Sequence, residues 1–228
     1  MEFAAIVVAG GSSSRMGFDK LRTDLNGTPV YLRSLQTLQN CPEIGEIILV
    51  ASEKNLPIFQ SETRHLSKLT HVLPGGTERH LSVAAGLKKI SSEFQWILVH
   101  DAARPLLSAR DLSSVLAAAK THGAASLANP VADTLKRTDA DGFVSDSVER
   151  TNLWAMQTPQ VFRAERLRTA YEKILQSSQI VTDEVSAVAK LGDRVKLVAA
   201  LDSNFKITFS CDIALARLSL INSSETEN

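Results

Sequence analysis

Short continuous apolar runs recur along this chain, and they constrain its fold more than any other feature. The first, Phe3 to Ala9, ends on the glycine pair Gly10 and Gly11. A run this short, apolar on both alternating faces and stopped by glycine, reads as a strand buried on both sides, as in a parallel sheet. Similar runs occupy Glu46–Ser52, Thr70–Pro74, Gln95–Asp101 and Arg194–Leu201. Between and around them lie helix-period segments at Pro29–Gln39, Glu78–Ile90, Ala109–His122, Ala164–Gln176 and Asp183–Leu191. Pro29 suits a first helical turn. Alternation of this kind predicts an α/β domain with a mostly parallel sheet.

One region breaks the rhythm. From Asn129 to Val148 the sequence "NPVADTLKRTDADGFVSDSV" reads as two polar strands about a turn at Asp139–Gly142. A ribbon this polar is surface structure or an arm that reaches a partner, and exposed strands need cover. The chain is therefore expected to form a single domain over 1–221, with a hairpin arm at 130–150 and a frayed polar tail at 222–228.

Balance and composition exclude several function classes. The 25 basic and 25 acidic residues cancel, which argues against a general nucleic-acid or membrane-surface binder. An anionic ligand would have to be met by a local cluster of cations. Two distant cysteines, Cys41 and Cys211, suggest a reduced protein, and the five histidines form no metal-ligand pair. No signal peptide precedes the first strand, and no apolar run approaches a membrane span, so a cytoplasmic location is expected.

In an open α/β sheet, ligands bind beyond the carboxyl ends of the strands. The loop after the first strand, "GGSSSRMGFDK", supplies Gly10 and Gly11 for close backbone approach, three serines, and then Arg15 and Lys20. Small residues presenting N–H groups make an anion nest, and the two cations add charge. The loop matches neither G-x-x-x-x-G-K-[ST] nor G-x-G-x-x-G.

Five further stretches stand at element ends. "PGGTERHLSVAAGL" places Gly75 and Gly76 where a flat base could lie, with Ser82 nearby. "VHDAARP" ends a strand on Asp101, a candidate for a metal or a ribose hydroxyl, with Ala102 and Ala103 keeping space open. Arg104 could pair with a phosphate or simply with Asp101. "RTNLWAMQTPQVF" carries Arg150, Trp154 (read as packing) and Thr158. In "VTDEVS", Thr182 reads as a helix cap, with Asp183 and Glu184 at the positive end of the dipole. Lys206 lies in a short extended segment before a helix and could return to the same sheet edge as Lys20.

The opening loop alone is similar to that of the molybdenum-cofactor guanylyltransferases. Taken in order, "AGGSSSRMG", "GGTERHLSV", "VHDAARP", "PVADTLK", "LWAMQTPQVF", "TDEVS" and "NFKIT" span nearly the whole chain. They resemble the methylerythritol phosphate cytidylyltransferases. A sister branch, the ribitol 5-phosphate cytidylyltransferases, shares much of the pattern, and a non-catalytic nucleotide binder on the same fold is a further alternative. The chain departs from the family at Ser13, Asp19 and Phe205, where glycine, proline and isoleucine are common.

The resemblance implies a Rossmann-like, mostly parallel sheet with helices on both faces, of the nucleotide-diphospho-sugar transferase type, plus a protruding β-arm. It implies cytidylyl transfer from CTP to 2-C-methyl-D-erythritol 4-phosphate, with release of pyrophosphate. Catalytic roles fall to Arg15, Lys20, Arg150 and Lys206. Nucleotide contacts fall to Ala9, Gly10, Gly11, Gly75, Ser82, Asp101 and Ala102, and acceptor contacts to Arg104, Thr134, Arg150, Thr158 and Lys206. Mg²⁺ at Asp101 and a homodimer through the 130–150 arm complete what it implies.

Overall fold

The computed structural model describes residues 1–11, 16–177 and 180–226. In chain order the strands are β1 (Phe3–Ala9), β2 (Asp24–Leu25), β3 (Thr28–Pro29), β4 (Ile44–Ala51), β5 (Leu69–Pro74) and β6 (Trp96–Asp101). They continue with β7 (Ala124–Pro130), β8 (Leu135–Thr138), β9 (Val144–Val148), β10 (Trp154–Arg163) and β11 (Lys196–Ala199). The helices are α1 (Val30–Asn40), α2 (Leu56–Glu62), α3 (Arg79–Leu87), α4 (Ala109–His122), α5 (Ala164–Ser177), α6 (Glu184–Ala189) and α7 (Ser210–Thr226).

Seven strands form the main sheet in the order β11-β7-β10-β6-β1-β4-β5. β1 pairs parallel with β4 and β6, β4 with β5, and β7 with β11, while β10 runs antiparallel to both neighbours. The alternation along β1 shows why its sequence is apolar throughout. Phe3, Ala5, Val7 and Ala9 join a core formed with α1, α2, α4 and α7. Ala4 and Ile6 face the opposite core, built with α3, α5 and α6. Helices thus cover both faces, and a strand with two buried faces has no place for a charge.

α4 occupies the expected span. Ser108 caps it by accepting from the Asp111 N–H at 3.1 Å, and Gly123 ends it at φ 87°, a conformation that favours glycine. Other boundaries differ from expectation. Pro29 is the N-cap of α1 rather than part of its first turn. Asp183, not Thr182, caps α6, accepting from the Ser186 N–H at 2.9 Å. Asn129 and Pro130 belong to β7 in the main sheet, so the polar ladder is shorter than expected, pairing Leu135 with Val148 and Thr138 with Val144. β7 and β10 lie in stretches that sequence periodicity left without an element. α7 runs to Thr226, through most of the segment expected to fray. No helix among the described residues is long and apolar enough to cross a membrane.

Candidate active site

The chain passes from β1 to β4 and β5 on one side, then crosses to place β6 on the other. That reversal beside β1 is the topological switch point, where doubly wound sheets bind ligands. A cleft of about 410 Å³ opens there. Ala9, Gly10 and Gly11 line it from the end of β1, Ser82 from α3, Asp101 from β6, and Lys20 and Lys206 from the two flanking segments.

The Gly-Gly turn after β5 approaches the cleft because its backbone can lie against other atoms. A Cβ on Gly75 would stand 2.8 Å from Ser82 Oγ and 3.3 Å from the Ala51 carbonyl oxygen. Gly75 donates to that carbonyl at 2.7 Å, and the Gly76 N–H donates to Ser82 Oγ at 3.1 Å. Ser82 therefore shapes the turn. Gly76 rather than Gly75 lines the cleft, and Ala103 rather than Ala102. Ala102 is fully buried, its N–H bonded to the Val8 carbonyl at 3.0 Å.

Asp101 is the hub. Arg79 donates from Nε and Nη2 to Oδ1, each at 3.2 Å. Lys206 Nζ donates to Oδ2 at 2.9 Å, and Arg104 Nε lies 3.8 Å from Oδ2. Burial alone would raise the Asp101 carboxyl, but Arg79, Lys206 and Arg104 outweigh it and hold the group well below the ordinary carboxylate range. The carboxylate stays ionised.

Arg79 is itself anchored from behind. Its Nη1 and Nη2 donate to Glu184 Oε1 and Oε2 at 2.6 and 3.0 Å, a bidentate pair with an acid that is fully buried. Tyr171 Oη donates to the same Glu184 at 2.9 Å. Burial, then the Glu184 charge, pushes the Tyr171 hydroxyl far up, so it remains a donor. Gln160 Oε1 accepts both the Glu184 and Val185 N–H groups at 3.0 Å. Glu184, read from sequence as helix-end electrostatics, is thus half of an ion pair that reaches the cleft.

A second layer lies beneath Asp101. Its N–H donates to Thr158 Oγ1 at 3.0 Å, and Thr158 Oγ1 stands 3.0 Å from His100 Nδ1. His100 Nε2 lies 3.2 Å from the Arg104 carbonyl oxygen. The hydroxyl accepts from Asp101 and donates to Nδ1, which leaves the Nε2–H to donate to Arg104. Burial lowers the His100 pKa from 6.5 to about 4, so the ring is neutral.

Lys20 and Lys206 arrive together as expected. The segment before α7 crosses the sheet edge, fixed by the Ile207 N–H on the Ala103 carbonyl at 2.8 Å. Lys20 Nζ donates to the Ile207 carbonyl at 2.7 Å.

The structure does not gather every expected residue. Arg104 is buried, donates from Nη1 to the Asn204 carbonyl at 2.8 Å, and does not line the cleft. Thr158 is 4% exposed beneath Asp101 and does not line the cleft. Thr134 and Arg150 are exposed on the arm, where Arg150 Nη1 donates to the Ala132 carbonyl. Arg15 lies outside the described residues. Sequence reasoning missed Arg79, Glu78 and Thr208 on the cleft wall. Arg79 stood inside a quoted motif, but its partner is 105 residues away and no local spacing reveals that.

A switch-point cleft with bare glycine backbone on one wall and three cations about one ionised acid defines an α/β protein suited to a nucleotide phosphate. Its family is specific. The family model for IspD, 2-C-methyl-D-erythritol 4-phosphate cytidylyltransferase, matches residues 3–222, and the chain belongs to that family. It is 41% identical over 217 residues to the enzyme of that name from Chromobacterium violaceum, covering 93% of this chain and 95% of the relative. The counterpart from Symbiobacterium thermophilum is 37% identical over 219 residues, covering 95% and 92%. The crystal structure of 4-diphosphocytidyl-2C-methyl-D-erythritol synthase from Anaerococcus prevotii superposes with a TM-score of 0.83 at 31% identity, covering 96% of this chain and 95% of that one. The Thermus thermophilus cytidylyltransferase gives 0.81 at 29%, covering 96% and 100%.

Proposed function

We propose that this protein transfers the cytidylyl group of CTP to 2-C-methyl-D-erythritol 4-phosphate, giving 4-diphosphocytidyl-2-C-methyl-D-erythritol and pyrophosphate. An oxygen of the acceptor phosphate attacks the α-phosphorus, the bond to the β-phosphate oxygen breaks, and pyrophosphate leaves with the electron pair. No general base is needed, because the attacking oxygen is already ionised at neutral pH. Catalysis is then positioning and charge stabilisation. The observation that carries the reading is the convergence of Lys20, Lys206 and Arg79 on the switch-point cleft of a chain that belongs to this family.

In this reading the backbone at Ala9, Gly10 and Gly11, with the Gly75–Gly76 turn kept in shape by Ser82, holds the nucleotide. Lys20 and Arg15 meet the triphosphate and the charge that grows on it. Lys206 lies between Asp101 and the reacting phosphates. Arg104 and Thr158 act at one remove, keeping Asp101 and Lys206 in place.

Among the described residues no three His, Cys, Asp or Glu side chains form a metal-holding group. Asp101 offers one ionised carboxylate, a donor set that fits an ion held chiefly by phosphate oxygens and water. Mg²⁺ held at Asp101 would neutralise charge shared among the phosphates. The reading places Thr134 and Arg150 of one copy at the acceptor end of a second copy's cleft, in a homodimer formed through the 130–150 arm, in the cytoplasm.

Product analysis tests the reaction. CTP and Mg²⁺ are mixed with methylerythritol phosphate or ribitol 5-phosphate in parallel, pyrophosphate is followed, and the adduct is identified by mass. Adduct with methylerythritol phosphate alone is expected. Turnover only with ribitol 5-phosphate would reassign the acceptor, and CTP binding without pyrophosphate from either would make the protein a non-catalytic binder.

A further inference from the structure

The turn that carries Lys20 is built in an unusual way. Lys20–Arg22 is a single 3-10 turn between the glycine-serine loop and β2. Its N-cap is Asp19, whose Oδ1 accepts the Leu21 N–H at 3.1 Å. The Asp19 carbonyl accepts from the Arg22 N–H and from Thr23 Oγ1, each at 3.3 Å. So short a turn has little cooperative stability of its own. Something outside it must fix its orientation, or the lysine it carries has no defined position.

Leu21, 3% exposed in the core, and the Val30 N–H on the Thr23 carbonyl at 3.1 Å hold the far side of the turn, and Asn55 holds the side that leads into Lys20. Asn55 Nδ2 donates to Asp19 Oδ2 at 2.6 Å, a short charge-assisted bond. Asn55 is the N-cap residue of α2, yet its side chain makes no capping bond to its own helix. It is 2% exposed, and its Oδ1 has no hydrogen-bond partner. A buried amide that forgoes capping and leaves an oxygen unpaired costs stability at that helix. Its one side-chain bond goes to the residue directly before Lys20. Lys20 is thereby held at both ends, by the Asp19 turn at its backbone and by the Ile207 carbonyl at Nζ.

We infer that Asp19 and Asn55 are positioning residues for the reaction, acting through Lys20 to aim its ammonium group into the nucleotide cleft. The inference rests on the proposed reading of that cleft. Without the brace the lysine is still present, but the Asp19 end of the turn loses its tie to α2 while Leu21 alone keeps its place in the core. A displacement of about 1 Å in a charge-stabilising group can cost about a hundredfold in rate.

The test is a double-mutant cycle of D19A with K20A, read by kcat, by KM for CTP and by the dissociation constant of CTP from calorimetry, with thermal melts alongside. D19A is expected to lower kcat about tenfold to a hundredfold while KM changes less. In the K20A background D19A should cost almost nothing further, because its effect passes through the absent lysine. N55A should follow D19A, and D19N, which keeps an acceptor for the Leu21 N–H and can donate to the unpaired Asn55 Oδ1 once that amide turns over, should recover part of the loss. Equal losses from D19A with and without Lys20 would overturn the inference, and so would wild-type kinetics in both D19A and N55A. If the wild-type protein forms no adduct, the proposed reaction fails instead. CTP affinity still decides the present point, since D19A and K20A must then weaken binding by less together than the product of their separate effects.

Discussion

The cleft and the arm are opposite ways of presenting polar residues. The cleft collects side chains from positions 8 to 208 onto one sheet edge and locks them with buried charge. Asp101 is 6% exposed and Glu184 is fully buried, and each is held by Arg79. The arm presents Thr134 and Arg150 just outside a two-stranded ladder, Leu135–Thr138 against Val144–Val148, that leaves Phe143 72% and Val144 66% exposed. One region is preorganised within the chain, and the other presents its side chains outward. A nucleotide needs the first kind of site, because charge developing on phosphate is stabilised best by groups that do not have to reorganise. An isolated ribbon is marginal in water, so the arm is expected to gain its order from a second copy.

The largest effect should come from breaking the buried pair that distinguishes the cleft. E184Q removes the charge while keeping the shape, and should lower stability by about 3–5 kcal/mol in urea unfolding, because Arg79 loses its bidentate partner. The double substitution R79M/E184M should recover most of that stability but not turnover. Recovery of both would reduce the pair to packing.

Next are the single losses on either side of the comparison. K20A and R150A should each lower kcat/KM on the order of 10²–10³. They should differ in binding, with K20A weakening CTP and R150A leaving it unchanged in calorimetry.

A smaller effect comes from His100 beneath the cleft. Its folded pKa of about 4 lies below the ordinary 6.5, so the unfolded chain binds the proton more readily. The stability from keeping the ring neutral is full above about pH 6.5 and is lost as pH falls toward 4. The loss should be on the order of 2 kcal/mol by pH 5. H100N should flatten that part of the stability profile, and an unchanged slope would mean that another group carries it. The smallest effect is expected from the arm. Replacing 133–148 by a tight turn should change CTP affinity by less than about twofold, because none of those residues lines the cleft.

Much of the fold was legible because burial on two faces leaves a plain mark. β1 and α4 occupy the spans expected of them. β7 was not legible, since "AASLANP" carries no strong period and becomes a strand only because β10 and β11 flank it. β10 was masked by Pro159 in its interior, which ordinarily argues against a strand. Here the ladder to β7 shifts register between Met156 and Gln160, and the proline falls in that gap. For the site, Gly10, Gly11, Lys20, Asp101 and Lys206 stood at element ends, where chemistry shows in sequence. Arg104 and Thr158 also stood out in sequence, as acceptor contacts, and their burial beside Asp101 depends on contacts distant in the chain that no local spacing displays. Glu184 was read as a helix-end acid because its arginine comes from a helix a hundred residues earlier, and only the fold brings them together.

In the proposed homodimer the nucleotide wall of one copy works with the arm of another. Mixing K20A and R150A proteins under exchange conditions tests it directly. If the arm serves a partner's cleft, half of the randomly formed dimers contain one intact site, and activity should rise to roughly one quarter of the wild-type level. A mixture no more active than its separate components, despite demonstrated exchange of subunits, would place both residues in a single chain's site and contradict the account.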